Sequence, residues 1–484
     1  MVLVVLDTLS ARAAGLGGER PAMPQLTAIA EGGMWFRHAV ANAPWTYPSH
    51  ASLLTGLLPS EHGMDTPHQF TGWELGDPTG GSLQALLPPG PASDPGLSRR
   101  WLPALFRAAG YETVCVSNNP WVSRLTEMDH GFTRIRDPLA VRLPRWRSVL
   151  RSRPRLRGAL RAAHCSYRAA YRSGDQLAGD ALRLVREWAA ERDAERPFLL
   201  VVNLVEAHAP YLTPLAPAAV RSERAGPRSV FRAMRLLEPH RAIRYNLVGG
   251  DGREAASAVQ VARTLHERAA RYLDTVVGEL YSAVNTGARG LAFCVTSDHG
   301  ESFGEHGALL HGFTLDEEAL HVPLVMTGAG LPAAERSESV DLRRVYATLL
   351  EAAGVPVPAG AAPSMMTGAP GVAVAERDRL RLPSWTSEAW PLSASRAGRL
   401  RAVYRDPWKL VSTETGASLY DLATDPRERV DRAADRPDVS RDLLATLPPW
   451  PDRRPGREGP REQPLSEEEE REMADRLAAL GYLE

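Results

Sequence analysis

The chain has 484 residues, 44% of them hydrophobic and 24% charged, and its 57 basic and 58 acidic side chains leave a net charge of −1. A chain of this length can bury one large core and a smaller one, and so balanced a charge excludes a chain-wide electrostatic surface for nucleic acid or membrane, leaving only local patches. Lys409 is the only lysine, which rules out any chemistry that needs two.

The first element is the apolar run VLVVL (2–6), read as a strand. It is too short for a secretory leader and has no basic flank or cleavage site, so a cytoplasmic protein is expected, a misassigned start codon aside. Further strand-length runs follow in ETVCVS (112–117), FLLVVNLV (198–205), LAFCVTS (291–297) and HVPLVM (321–326). They do not alternate with polar residues, which is the pattern of strands buried on both faces. Helix-period segments lie between them: SLQALL, LPALFRAAG ending at Gly110, DALRLVREWAAER and ASAVQVARTLHERAARYLDTVVGELYSAV. This order predicts an α/β fold with a largely parallel sheet flanked by helices. No run approaches the roughly 20 apolar residues of a membrane span. Cys115, Cys165 and Cys294 are far apart and form no CxxC pair, so packing is their expected role.

Between the second and third strands, residues 142–172 hold ten arginines and no acid. The segment reads as a solvated helix over the domain edge, with weak contact to an anionic substrate or lipid surface as the alternative. Near 354–371 the composition turns to Pro, Gly and Ala, which marks a junction between a catalytic domain (1–375) and a small C-terminal domain (376–484). RLRAVYRDPWKLV and GASLYDL read as short antiparallel strands in the latter. A Pro-rich, charged loop (447–464) precedes SEEEEREMADRLAALG, where Ser466 and Glu469 form a capping box and Gly481 closes a terminal helix.

Ligands of such sheets bind beyond the carboxyl ends of the strands. The polar residues there are Asp7, the pair Glu206 and His208 in NLVEAHAPY, and Asp298 with His299 in TSDHGESFGEHG. Two carboxylates, an imidazole and the hydroxyl of Thr46 in APWTYPSHASLLTG make a set suited to one divalent metal bound by oxygen and nitrogen. Such a metal would activate Thr46, and a helix starting near Ser49 would direct its N–H groups and positive dipole end at a tetrahedral anion, phosphate or sulfate. Each residue also has a plainer reading: Asp7 as a loop residue, Asp298-His299 as part of a glycine-rich turn, His208 as the end of a strand, Thr46 as a helix N-cap.

These stretches, with MPQLTAIAEGGMWFRHAVANAPWTYPSH, LFRAAGYETVCVSNNPW, HGFTLDEEALHVPLVM, LYDLATDPRE and RLAALGY, resemble the sulfatase family of the alkaline phosphatase superfamily over nearly the whole chain. The resemblance implies a large central sheet, parallel or mixed, flanked by helices, and a smaller C-terminal antiparallel sheet with a helix. It also implies an ester hydrolase. Family sulfatases oxidise a Cys or Ser to formylglycine in a motif that places Arg four residues later; here Thr46 and His50 hold those two positions. Oxidising threonine at its β carbon would give a ketone, so that route is closed. Threonine is similar to the phosphoryl-handling branches, which implies hydrolysis of a phosphate mono- or diester through a Thr46 covalent intermediate. The alternatives are sulfate ester hydrolysis by Thr46 without formylglycine, a phosphoryl or phosphoethanolamine-type transferase, and a non-catalytic anion-binding homologue.

Carried over by position, the resemblance makes Asp7, Thr46, Asp298 and His299 metal ligands and Thr46 the nucleophile, with His50 and His208 as further catalytic groups. Glu206, His311 and Asn119 are weaker substrate-binding candidates. Thr8 and His299 stand where the family often has an aspartate and an asparagine, and both changes favour manganese, zinc or magnesium over calcium. Glu206 could assist His208 or help hold a second metal, although two-metal members use additional Asp and His ligands at a different spacing, which speaks against one. The expected partner is a small-molecule phosphate or sulfate ester, with no nucleic acid.

Overall fold

The computed structural model describes residues 1–18, 21–64, 90–136, 163, 165–166, 177–223, 227–238, 242, 245–246, 252–285, 290–328, 330–366, 371–380, 398–450 and 466. The segment SLQALL, nearly all of 142–172, and the Pro-rich loop beyond 450 with the terminal helix (except Ser466) lie outside them.

In chain order the strands are β1 (Val2–Leu6), β2 (Met34–Phe36), β3 (Ala39–Val40), β4 (Glu112–Ser117), β5 (Arg134–Arg136), β6 (Phe198–Leu204), β7 (Ala292–Thr296), β8 (Ser302–Phe303) and β9 (Leu309–Leu310). They continue with β10 (His321–Val322), β11 (Leu324–Gly328), β12 (Ala334–Arg336), β13 (Val340–Asp341), β14 (Ala373–Arg377), β15 (Leu400–Arg405), β16 (Trp408–Ser412) and β17 (Ala417–Asp421). Eight of them form the main sheet in the order β12-β2-β11-β7-β1-β6-β4-β5. β1 runs parallel to β6, with Val2 opposite Leu200, and parallel to β7, with Val2 opposite Phe293. β11 is antiparallel to both β7 and β2, so the sheet is mixed.

The unbroken apolar runs are explained by two cores. Leu3 and Val5 of β1 join Cys115, Leu199 and Val201 in one core, while Val2, Val4 and Leu6 join Val114, Val116, Leu200, Val202 and Leu204 in the other. Because successive side chains point to opposite faces, a strand covered on both sides carries apolar residues on both faces and does not alternate. The helix Gly252–Val284 covers the second face with Ala269, Ala270, Leu273, Val276, Val277 and Leu280, a spacing of three and four residues that keeps one stripe inward. Cys115, Cys165 and Cys294 are buried.

The run HVPLVM is not one strand. Pro323 divides it: β10 pairs with β3 in a small three-stranded sheet, and β11 enters the main sheet. Proline offers no N–H to a ladder, so a change of sheet at this point leaves no donor unpaired. A four-stranded antiparallel sheet, β14-β15-β16-β17, forms the small unit. One of its faces sends Ala373, Ala375, Ala402 and Tyr404 into the first main core; the other gathers Val374, Val403, Leu410 and Leu419 around Leu443 of the helix Pro437–Leu444. Among the described residues, no helix is long and apolar enough to cross a membrane.

Candidate active site

β1, β6 and β7 are adjacent and parallel, so their carboxyl ends emerge side by side. Asp7 follows β1 directly, and its N–H still bonds Leu204 O of β6 at 2.8 Å. The next residue, Thr8, has a φ of 61°, a left-handed conformation that is costly for a β-branched side chain. That turn lets the Thr8 N–H donate to Asp298 Oδ1 at 3.2 Å. Its own hydroxyl donates to Asp7 O at 2.7 Å.

The helix carrying Thr46 starts three residues earlier than the sequence predicts, spanning Thr46–Thr55. Trp45 is its N-cap, in extended conformation, so Thr46 is the first helical residue and not the cap. Its Oγ1 lies 3.3 Å from His299 Nε2. Ser49, one turn on, donates its hydroxyl to Asp298 O. His50 presents Nδ1 3.0 Å from Thr46 O and 3.3 Å from Asp298 Oδ2, while its Nε2 is 3.0 Å from the Asn203 amide nitrogen. A carbonyl only accepts, so the His50 proton is on Nδ1 and Asn203 donates to Nε2.

The same reasoning fixes His299. Its Nδ1 donates to Gly300 O at 3.0 Å, which leaves a lone pair on Nε2 facing Thr46 Oγ1, Asp298 Oδ2 at 3.6 Å and Asp7 Oδ1 at 3.7 Å. All four side chains are completely buried. One donor atom from each of Asp7, Asp298 and His299 lies within 4.8 Å of the others. Asp7 Oδ1 makes no hydrogen bond among the described residues, and a buried, unpartnered carboxylate oxygen is costly unless a cation or proton meets it. The donor set and this orphaned oxygen fit a divalent ion.

Electrostatics agree with that fit. Burial, then the charges of Asp298 and Glu301, push the Asp7 carboxyl well above the usual carboxylate range. Burial also works against ionised Asp298, yet His299, His50 and the Thr8 N–H hold it below that range. Two carboxylates this close separate into one that ionises readily and one that does not. Burial lowers His299, His208 and His311 to about 4, so all three are neutral imidazoles near pH 7.

His311 sits beside His299 with ring centroids 4.5 Å apart, and His208 lies 5.0 Å from His311. The His208 Nδ1 faces Ala209 O at 2.9 Å. Behind them stands Glu301, a buried carboxylate that accepts from His311 Nδ1 at 2.9 Å and from the Tyr211 hydroxyl at 2.8 Å. The sequence does not single out Glu301, although it stands two residues past His299, nor Asn203, one position before the end of β6. Two candidates are placed otherwise than expected. Asn119 donates its amide to Asp7 Oδ2 and accepts the Trp121 N–H at 2.8 Å, so it braces a carboxylate instead of facing the anion. Glu206 accepts the Ala178 N–H at the start of the helix Leu177–Glu191, so one of its oxygens holds a helix end. A cavity of about 380 Å³ touches this site through Glu301; the other lining residues include Arg12, Arg263, Glu317 and His321.

The Sulfatase family profile matches residues 1–355. The chain belongs to the sulfatase family. In sequence it is 30% identical over 187 residues to arylsulfatase K of Xenopus laevis, covering 35% of this chain and 33% of that protein. The chain thus matches about a third of the length of this relative. Among solved structures it resembles the phosphonate monoester hydrolase of Agrobacterium radiobacter, with a TM-score of 0.61, 23% identity and coverage of 92% of this chain and 94% of that one. It also resembles a 2-O GAG sulfatase, with a TM-score of 0.58, 16% identity and coverage of 92% and 89%. At these identities the structural likeness establishes the fold of this sulfatase-family chain: a large mixed sheet flanked by helices and a small four-stranded antiparallel sheet.

Proposed function

We propose that this sulfatase-family chain hydrolyses a phosphate mono- or diester through a covalent Thr46 intermediate. The observation that carries the reading is the convergence of Thr46 Oγ1 on His299 Nε2 beside the orphaned Asp7 oxygen. Asp7, Asp298 and His299, with Thr46, would hold one divalent ion, manganese, zinc or magnesium in preference to calcium, because an imidazole and only two carboxylates suit borderline or small ions. Bound there, the ion supplies Lewis acidity that favours the ionised form of the threonine hydroxyl and polarises the ester.

In the first half-reaction Thr46 Oγ1 forms a bond to phosphorus as the bond to the leaving oxygen breaks, and the hydroxyl proton ends on that oxygen, which departs as the alcohol. Water then attacks the phosphothreonine in line, breaks the bond to Oγ1 and restores the hydroxyl. His50 anchors the first helical turn to Asp298, which keeps Oγ1 aimed inward. His208 and His311 stand on the anion side; an arriving phosphate favours their protonated forms, and Glu301 steadies the charge on His311. The N-terminus of the ten-residue helix Thr46–Thr55 adds donors and a positive dipole end.

Sulfate ester hydrolysis by the same hydroxyl is the second reading, favoured by the arylsulfatase relative. Turnover of a phosphodiester, a phosphomonoester and an aryl sulfate by metal-reconstituted protein separates them. Phosphate ester turnover that Thr46→Ala abolishes is expected; a clear sulfate preference lost in the same variant would overturn the phosphate reading. Solvent oxygen appearing in released phosphate distinguishes hydrolysis from transfer to an acceptor alcohol.

A further inference from the structure

Away from the Asp7 centre, a second group of side chains carries a metal-binding donor set. His38 lies between β2 and β3, while Glu317 opens the short helix Glu317–Leu320 and His321 follows it as the first residue of β10. The antiparallel pairing of β10 with β3, His321 opposite Val40, draws these segments together. His38 Nε2 is 2.8 Å from Glu317 Oε2, and His321 Nδ1 is 3.8 Å from the same oxygen. The two rings meet edge to face at 4.6 Å, and one donor atom from each residue lies within 4.8 Å of the others.

Hydrogen bonds behind the rings decide which nitrogens face inward. His321 Nε2 is 2.8 Å from Arg37 O; a carbonyl only accepts, so Nε2 carries the proton and Nδ1 presents a lone pair. Ser339 gives its single hydroxyl proton to Asp406 Oδ1, and its oxygen therefore accepts from His38 Nδ1 at 2.7 Å. This turns His38 Nε2 toward Glu317. Tying the outer nitrogen of each imidazole to an acceptor is how proteins orient histidine ligands on a metal. The other Glu317 oxygen, Oε1, is taken by Lys409 Nζ at 3.0 Å and the Tyr404 hydroxyl at 2.9 Å. Oε2 is left to the histidines. A tetrahedral ion with bonds of about 2.0–2.1 Å separates its ligand atoms by roughly 3.3 Å, and the two measured separations, 2.8 and 3.8 Å, bracket that value. Glu317 and His321 also line the 380 Å³ cavity, which provides an entry path.

We propose that His38, Glu317 and His321 bind a divalent transition ion of the zinc type, at a site separate from Asp7, Asp298 and His299. Two imidazole nitrogens and one carboxylate oxygen select zinc over magnesium or calcium. Through Glu317, Lys409 and Tyr404, the ion clamps the β3–β10 pair to the small C-terminal sheet. Glu428, 2.6 Å from Lys409 Nζ, offsets the ammonium charge near the ion. The rival occupant is a proton on His38 Nε2, which would make a plain ion pair with Glu317.

The test is zinc titration of the chelator-dialysed full chain by calorimetry, for the wild type and for His38→Gln and His321→Gln. Each variant is expected to bind one equivalent fewer than the wild type while retaining ester turnover. Equal stoichiometry in all three proteins would overturn the proposal in favour of the proton. A second readout needs no variant: modification of His321 by diethyl pyrocarbonate, followed by peptide mass, should slow about tenfold at zinc ten times above its dissociation constant. An unchanged rate would likewise overturn it.

Discussion

Thr46 Oγ1 and His299 Nε2 are 3.3 Å apart although 253 residues separate them in the chain. The contact exists because Thr46 begins its helix beside the carboxyl ends of β1 and β7, and because Gly300 O takes the His299 Nδ1 proton and leaves the other nitrogen turned toward the hydroxyl. Substitution at Thr46 therefore separates chemistry from architecture. Thr46→Ser keeps the oxygen and should retain activity; Thr46→Ala should lose roughly a thousandfold or more in kcat. Circular dichroism of both variants should match wild type.

Asn119 braces Asp7 through its side-chain amide. Asn119→Ala frees that carboxylate to rotate and should weaken divalent metal binding about 10- to 100-fold. Competition with a chelator of known affinity measures the loss. Unchanged affinity would place the Asn119 bond outside metal binding.

Glu376 and Arg401 form a buried ion pair at 2.7 Å within the small sheet, and Glu376 Oε2 also accepts the Ser60 N–H at 2.7 Å. Removing the acid strands a buried guanidinium. Glu376→Ala should cost about 3–5 kcal/mol, read as a lower denaturant midpoint, with a smaller loss in Glu376→Gln.

His266 is buried and hydrogen-bonded through Nε2 to Thr8 O at 2.9 Å, and burial lowers its pKa below the ordinary histidine value. In the unfolded chain it takes up a proton below about pH 6.5; in the folded chain it does so only at lower pH. The unfolded state thus binds more protons in that window, and stability falls as pH drops from about 6.5, by at most about 1.4 kcal/mol per unit from this residue. Its contribution is fully present above that pH. His266→Gln, which can still donate to Thr8 O, should show a shallower acid slope in denaturant titrations between pH 6.5 and 5.

Much of the architecture is legible in the chain. β1 and β4 occupy the runs that mark them, residue for residue, because a strand covered on both faces carries apolar residues at successive positions, VLVV in β1 and VCV in β4. The HVPLVM run misleads for a local reason. Its apolar pattern continues through Pro323, but the ladder does not. Asp7, Asp298 and His299 are visible as polar residues just past buried strands, and they do meet. Glu301, Asn203 and the bracing role of Asn119 are less visible. Their chemistry lies in which partner each touches, and the partners come from distant segments: His50 for Asn203, Asp7 for Asn119, Tyr211 for Glu301.

The sequence by itself determined the alternation of buried strands with helices and the strand-end position of the acidic and histidine groups. Tertiary structure alone decided that Thr46 begins its helix and does not cap it, that Asn119 serves Asp7, and that His38, Glu317 and His321 share one carboxylate oxygen. The physical reason is that hydrophobic periodicity depends on neighbours a few residues away. A hydrogen bond or a ligand geometry depends instead on which strands lie side by side, and the packed sheet sets that order.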